Sequence, residues 1–263
     1  MATRPVALVT GASMGLGAEF ARLLASEGHD LVLTARSGDR LATLKKEIEN
    51  LHGVRAHVIV ADLTDPRAPV AIYDDVRRQG IDVQVLVNNA GFGMYGLFHQ
   101  SDLQVELDMV QVNMVALMHL TKLFLRDMVA HGSGRIVNVA STAGFQPGPL
   151  QSVYYATKAF VLSFSEAIAN ETRGTGVTVT ALCPGPTPTE FQKRANVGRV
   201  RGLKLLMRVS PEAVVRAGYE GMKKGKTVVI PGVLNNVIVF LLRLSPRRVV
   251  TAAVRRLQTA SHD

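Results

Sequence analysis

The chain has 263 residues, 47% of them hydrophobic and none tryptophan, which suits one large domain with a full core and excludes a disordered segment. Its one cysteine, Cys183, excludes an internal disulfide framework and a CxxC metal site, and points to a reduced, cytosolic compartment. The net charge of +9 is lopsided: between Lys193 and Arg256 fifteen Lys/Arg stand against Glu212 and Glu220, which leaves the rest of the chain at −4.

That asymmetry implies an anionic partner near the C-terminal quarter. It comes with no helix-turn-helix, zinc-finger or RNA-binding pattern, so nucleic acid is excluded. A membrane surface, an acidic carrier protein and a phosphorylated substrate stay open.

In chain order, short apolar runs alternate with longer amphipathic ones, the rhythm of a parallel sheet with crossover helices. The first strand, Val6–Thr10, starts almost at once and leaves no room for a signal peptide. Further strands are expected at Asp30–Ala35, Ala56–Ala61, Val83–Asn88, Arg135–Ala140, Val177–Leu182 and Thr227–Ile230. Helical patterns fill 15–28, 39–51, 67–79, 103–131, 153–173 and 211–223. Val/Ile/Leu-rich strands suit a sheet buried on both faces. The expected fold is a single-domain α/β, doubly wound (Rossmann) sheet of seven parallel strands with helices on both faces. Such a sheet binds ligands beyond the C-terminal ends of its strands.

The motifs fall there. After the first strand comes Thr10-Gly11-Ala12-Ser13-Met14-Gly15-Leu16-Gly17. Glycines at 11, 15 and 17 allow a tight turn, close approach of a pyrophosphate to backbone N–H groups, and a following helix aimed N-terminus first at the phosphates. On a helix Tyr154 and Lys158 share a face, and a cation beside a phenol favours the phenolate, bringing a pKa near ~10 towards working pH. Ser141 stands thirteen positions before Tyr154. Tyr155, a second phenol, is three residues from Lys158 and out of that register.

Together the Gly-rich loop, Asp62-Leu63, Asn88-Asn89-Ala90-Gly91, Asn113, Ser141, Tyr154/Lys158 and Pro184-Gly185 resemble the short-chain dehydrogenase/reductase family, single-domain type, in order and spacing over residues 6 to 191. The resemblance implies a nicotinamide cofactor and a catalytic tetrad of Asn113, Ser141, Tyr154 and Lys158. Tyr154 would be the general acid, Lys158 would lower its pKa and hold the nicotinamide ribose, Ser141 would polarise the carbonyl, and Asn113 would hold a water linking Lys158 to solvent. Asp62 would bond the adenine, unless it caps a helix beginning at Asp65-Pro66. Asn89-Ala90-Gly91 would run against the cofactor. In the loop after the sixth strand, Pro184, Gly185, the Thr187 backbone and the Thr189 hydroxyl would contact the nicotinamide half. An acid after the second strand would favour NAD; this chain has Ala35-Arg36-Ser37 there. Arg36 can pair with a 2′-phosphate, with Ser13 or Ser37 adding hydroxyls, which selects NADP(H). Family members preferring NADPH often carry a second basic residue where this chain has Met14. The seven histidines show no metal-ligand spacing.

Beyond Phe191 the motifs stop. Residues 192–210 mix Lys/Arg with Leu203, Leu205, Leu206 and Met207 and read as a substrate lid. Residues 233–257 form an apolar then basic helical extension, and Val233–Leu244 is too short for a membrane span of about twenty residues. It could be a buried or dimer-forming helix, a segment lying on an anionic membrane, or part of a site for acyl-CoA or acyl carrier protein. The expected activity is NADPH-dependent reduction of a hydrophobic or acyl-type carbonyl, in a homodimer or homotetramer that is cytoplasmic or peripheral at a membrane. The alternatives are a non-catalytic NADPH-binding regulator and a lyase or epimerase of the same fold.

Overall fold

The structure, a computed structural model, describes residues 4–187 and 209–259. Its centre is a sheet of seven parallel strands: β1 (Val6–Thr10), β2 (Asp30–Ala35), β3 (Ala56–Val60), β4 (Val83–Asn88), β5 (Gly134–Val139), β6 (Val177–Leu182) and β7 (Val228–Val229). Their spatial order is β3-β2-β1-β4-β5-β6-β7. The order reverses between β1 and β4, so the crevice beyond their C-terminal ends is where a ligand is expected.

Strand periodicity explains the continuous apolar runs. Ala7, Val9, Leu31, Leu33, Val85 and Val87 enter one core, while Leu8, Val32, Leu86 and Ile136 enter the other. A parallel sheet covered on both faces needs both sets apolar. Helices α1 (Gly15–Ser26) and α2 (Gly38–His52) cover the first face, with Phe20, Leu24, Leu41 and Ile48 fully buried. Helix α3 (Ala68–Arg78) packs on the second face beside a long helical stretch, with Ile72, Leu120, Phe124 and Met128 in contact.

That stretch departs from the single helix expected over 103–131. It is α4 (Leu103–Val110), a π-helical turn over Gln111–Ala116, then α5 (Leu117–His131). A π turn adds a residue to the helical repeat and is frequent at functional sites, and here it carries Asn113. Helix α6 (Ser152–Glu171) follows as expected. Strand β7 shrinks to two residues. Helix α3 begins at Ala68, not at Pro66: Asp65 accepts from the Arg67 backbone N–H at 2.9 Å and closes a turn first. The C-terminal part adds α7 (Pro211–Lys223), capped by the Ser210 hydroxyl, then α8 (Val233–Leu244) and α9 (Arg247–Thr259). The expected lid at 192–210 lies almost wholly outside the described residues, as does Thr189.

Candidate active site

A cavity of about 1230 Å³ opens at the C-terminal end of the sheet. One end is built by the β1–α1 loop. Gly11 takes a left-handed conformation, φ +66°, and a Cβ on Gly17 would lie 2.3 Å from the Gly11 carbonyl oxygen. The glycines therefore let α1 start hard against its own strand. Gly17 is buried behind the loop, whereas Gly11, Ser13, Met14, Gly15 and Leu16 line the cavity. No side chain caps α1 and its first turn holds no acid, so its positive end is left to the cavity.

The loop is tied to β4 by a dense set of bonds. Thr10 Oγ1 accepts from the backbone N–H groups of Asn89 and Ala90, both at 3.0 Å. Asn89 Nδ2 donates back to the Thr10 carbonyl at 2.9 Å. Asn88 points elsewhere: its amide donates to Thr121 Oγ1 and Asn138 Oδ1 in the interior. Of the tetrapeptide picked out in the sequence, Asn89, Ala90 and Gly91 thus face the site, and Asn88 belongs to the core.

Beyond β2, Arg36 and Ser37 line the same end of the cavity, with Asp62 and Leu63 beyond β3. Arg36 and Asp62, both well exposed, form a 3.7 Å ion pair. Asp62 also accepts from the Thr64 N–H at 3.0 Å, and α3 starts six residues later, so it caps a turn and not a helix. Sequence reading missed Arg40. On the first turn of α2 its guanidinium reaches the Met14 sulfur at 4.0 Å, which puts a second cation beside the position where one was expected from the family. The signal was available: Arg40 lies four residues after Arg36, in the first turn of the helix that follows.

At the other end, Ser141, Tyr154 and Lys158 line the wall. Ser141 sits just past β5, where its hydroxyl accepts from the Ala143 N–H at 3.1 Å and lies 3.4 Å from the Pro184 carbonyl. Lys158 is buried, donates to the Val139 carbonyl at 2.7 Å and lies 5.9 Å from the centroid of the Tyr154 ring. Burial lowers its ammonium to about 8. The phenol moves against the expectation from the sequence: burial raises Tyr154 well above the usual range, and the hydrogen bond with Ser141 only partly opposes this. Taking a phenolate out of water outweighs what its neighbours return.

Asn113 stands behind this wall, not on it. Its Oδ1 accepts from the Phe92 N–H at 3.0 Å, and its Nδ2 donates to the Phe92 carbonyl and to Thr157 Oγ1. A Cβ on Gly91 would lie 2.9 Å from Asn113 Oδ1 and 3.6 Å from Lys158 Nζ. Asn113 therefore fixes the strip of backbone between itself and Lys158. Pro184, Gly185 and Thr187 line the cavity, and Thr187 Oγ1 donates to the Gly185 carbonyl at 3.0 Å.

The outer wall comes from the C-terminal extension, for which the sequence left three readings open. Asn235, Ile238, Val239 and Leu242 of α8 and Val254, Leu257 and Gln258 of α9 line the cavity. Asn235 packs so close that a Cβ on Gly185 would meet it at 2.6 Å. Gln258 Nε2 donates to the Tyr155 hydroxyl at 2.9 Å, and the Tyr95 hydroxyl donates to the Gln258 carbonyl at 2.8 Å. Tyr155 and Tyr95 are thus the phenols that anchor the C-terminal helix. Among the described residues there is no cluster of His, Cys, Asp and Glu that could hold a metal ion.

Comparison with known proteins gives the same picture. Residues 5–199 match the family model of the short chain dehydrogenases. The chain is 33% identical over 231 residues to the ketoacyl reductase HetN of Nostoc sp., covering 87% of this chain and 78% of that one. The short-chain dehydrogenase from Sphingobium yanoikuyae in complex with NADPH is similar in structure, with a TM-score of 0.81, 33% identity, and coverage of 92% and 97% of the two chains. A short-chain dehydrogenase/reductase from Burkholderia phymatum in complex with NAD also has a TM-score of 0.81, at 25% identity, covering 92% of each chain. The strand order, the glycine loop and the Ser141–Tyr154–Lys158 wall converge with the 195-residue match on one conclusion: the chain belongs to the short-chain dehydrogenase/reductase family of oxidoreductases.

Proposed function

We propose that this protein is an NADPH-dependent reductase of a hydrophobic, lipid-like or acyl-type ketone, with Tyr154 as the general acid. One observation carries the proposal: a single cavity joins the glycine loop and Arg36 at one end to Ser141, Tyr154 and Lys158 at the other, under an apolar roof of α8 and α9.

The residues present suit a phosphorylated dinucleotide. The cavity exceeds the ~300–1,000 Å³ of ordinary ligand sites, which leaves room for a second molecule beside a cofactor. Thr34 lines the cavity near the end of β2, its Oγ1 buried and without a hydrogen-bond partner among the described residues. The uncapped α1 N-terminus would hold the pyrophosphate, and Arg36, with Arg40 beside Met14, would hold a 2′-phosphate. When bound, NADPH would supply the hydride.

The chain's own groups do the rest. The Ser141 hydroxyl would donate to the substrate carbonyl and polarise it. As hydride adds to the carbonyl carbon, the C=O π pair moves to oxygen, and that oxygen takes the Tyr154 proton. Burial suits this task, because a phenol held neutral is ready to donate. Lys158, cationic near neutral pH, would stabilise the phenolate left behind. Ile238, Val239, Leu242 and Leu257 offer apolar surface to the substrate, which favours a hydrophobic ketone over a sugar.

The test is consumption of NADPH, followed by its absorbance, against a panel of ketones with Tyr154→Phe alongside. Long-chain or polycyclic ketones should be turned over by the wild type and not by the variant. Equal traces for the two proteins on every compound would remove the catalytic reading. Turnover of small polar sugars alone would remove the hydrophobic one.

A further inference from the structure

Helix α8 is apolar on two sides, and only one is accounted for. Asn235, Ile238, Val239 and Leu242 face the cavity. The opposite side shows Val233, Leu234, Val237, Phe240, Leu241 and Leu244, all exposed, with Val233 at 83%, Phe240 at 61% and Leu244 at 70%. At ~100° per residue these six fall within an arc of about 120°. Water is a poor neighbour for so continuous a stripe, and single exposed apolar residues, not runs, are the norm on monomers.

The charge around the stripe is of one sign. Arg243 flanks it, and Arg247 and Arg248 begin α9 three residues after Leu244, with Arg255 and Arg256 further along; all five are exposed. Between Val233 and Thr259 there is no Asp or Glu. Among the described residues no helix is long and apolar enough to cross a membrane.

We infer that α8 and the start of α9 form a membrane-docking surface: the stripe enters the headgroup–acyl boundary of an anionic leaflet while the arginines pair with lipid phosphates. A second copy of the chain suits this face less well. A two-fold contact would set the same five arginines and no carboxylate against one another. An acidic protein would match the charge but leave the stripe unexplained. Because the inner side of α8 lines the cavity, docking would put the roof of the site at the lipid boundary. This deepens the proposed reading by giving a hydrophobic ketone a source, but the docking itself needs no turnover.

Flotation with vesicles tests it, using the full chain and, to keep binding separate from chemistry, Tyr154→Phe as well. The two proteins should float alike with phosphatidylcholine–phosphatidylglycerol vesicles at low salt and much less with phosphatidylcholine alone. Phe240→Glu with Leu241→Glu, and separately Arg247→Gln with Arg248→Gln, should each cut the bound fraction about tenfold. Both pairs lie off the cavity wall, so an unchanged circular dichroism spectrum and unchanged NADPH binding establish that they fold. No flotation with either vesicle, or binding indifferent to both double variants, overturns the inference. So does a wild-type dimer that the Glu variant splits into monomers, or capture by an acidic carrier protein with no vesicle binding. Loss of ketone turnover with flotation intact would sink the proposed reaction and leave the docking standing.

Discussion

The ammonium of Lys158 lies 5.9 Å from the centroid of the Tyr154 ring and is anchored by a 2.7 Å hydrogen bond to the carbonyl of Val139. Both groups are shifted by burial: the lysine down to about 8, the tyrosine up beyond its ordinary range. Within the neutral range the group that titrates is therefore the lysine.

The pH dependence of kcat/KM should reflect that. With the phenol protonated throughout, ketone reduction should be level below about pH 8 and decline as Lys158 loses its proton above it. Lys158→Met should lose on the order of 10²–10⁴-fold in kcat/KM and with it the decline near pH 8. A wild-type profile level to pH 10 would contradict the assignment.

Stability should move the opposite way. The folded pKa of Lys158 lies below its unfolded value, so the cost of burying the charge is full below about pH 8 and disappears by about 10.5. Lys158→Met should therefore be more stable than wild type at pH 7, by at most about 3 kcal/mol from the charge, less about 1 kcal/mol for the lost hydrogen bond to the Val139 carbonyl. That advantage should shrink between pH 8 and 10.5. Scanning calorimetry of cofactor-free protein at pH 7 and pH 10 measures both points.

The choice of cofactor should rest on the two arginines of the β2–α2 corner. Arg36→Ala should raise the KM for NADPH roughly 10- to 100-fold and change that for NADH little, since a bidentate pair to phosphate would be lost. Arg40→Ala should have a smaller effect in the same direction. Initial rates at varied NADPH and NADH check this, and equal losses on both cofactors would place the arginines outside phosphate recognition.

The Gln258–Tyr155 bond should hold the roof. Tyr155→Phe should cost about 1 kcal/mol of stability and leave the chemistry in place, because Tyr154 keeps its wall. Limited proteolysis should then cut near α9 sooner than in wild type, while kcat on a small ketone stays within a factor of about three. Complete inactivation would mean that the two phenols have been assigned the wrong way round.

Gly17→Ala should be far more damaging than its size suggests. A Cβ 2.3 Å from the Gly11 carbonyl and 2.5 Å from Asn89 Nδ2 must push the loop off β4, at a cost of several kcal/mol. Thermal unfolding together with cofactor binding would show both losses.

The sequence by itself determined the sheet and its ligand-binding edge. Strand periodicity and glycine spacing are local properties, and β1, β2, β4 and β6 have the bounds expected from them. Ser141, Tyr154 and Lys158 were legible for the same reason: one strand end and one helical turn place all three. The sequence could not show the π turn at Asn113, because the extra residue in the helical repeat carries no compositional mark. The direction of the Tyr154 shift was hidden as well, since it depends on how much water the folded chain removes. Nor could it show that Arg40 reaches Met14, 26 residues away, or that Gln258 bonds Tyr155, 103 residues away. The same holds for α8, whose apolar composition reads identically whether a residue faces a cavity or solvent. Only packing against Gly185 decided which face of that helix turns inward and which is left for a lipid surface.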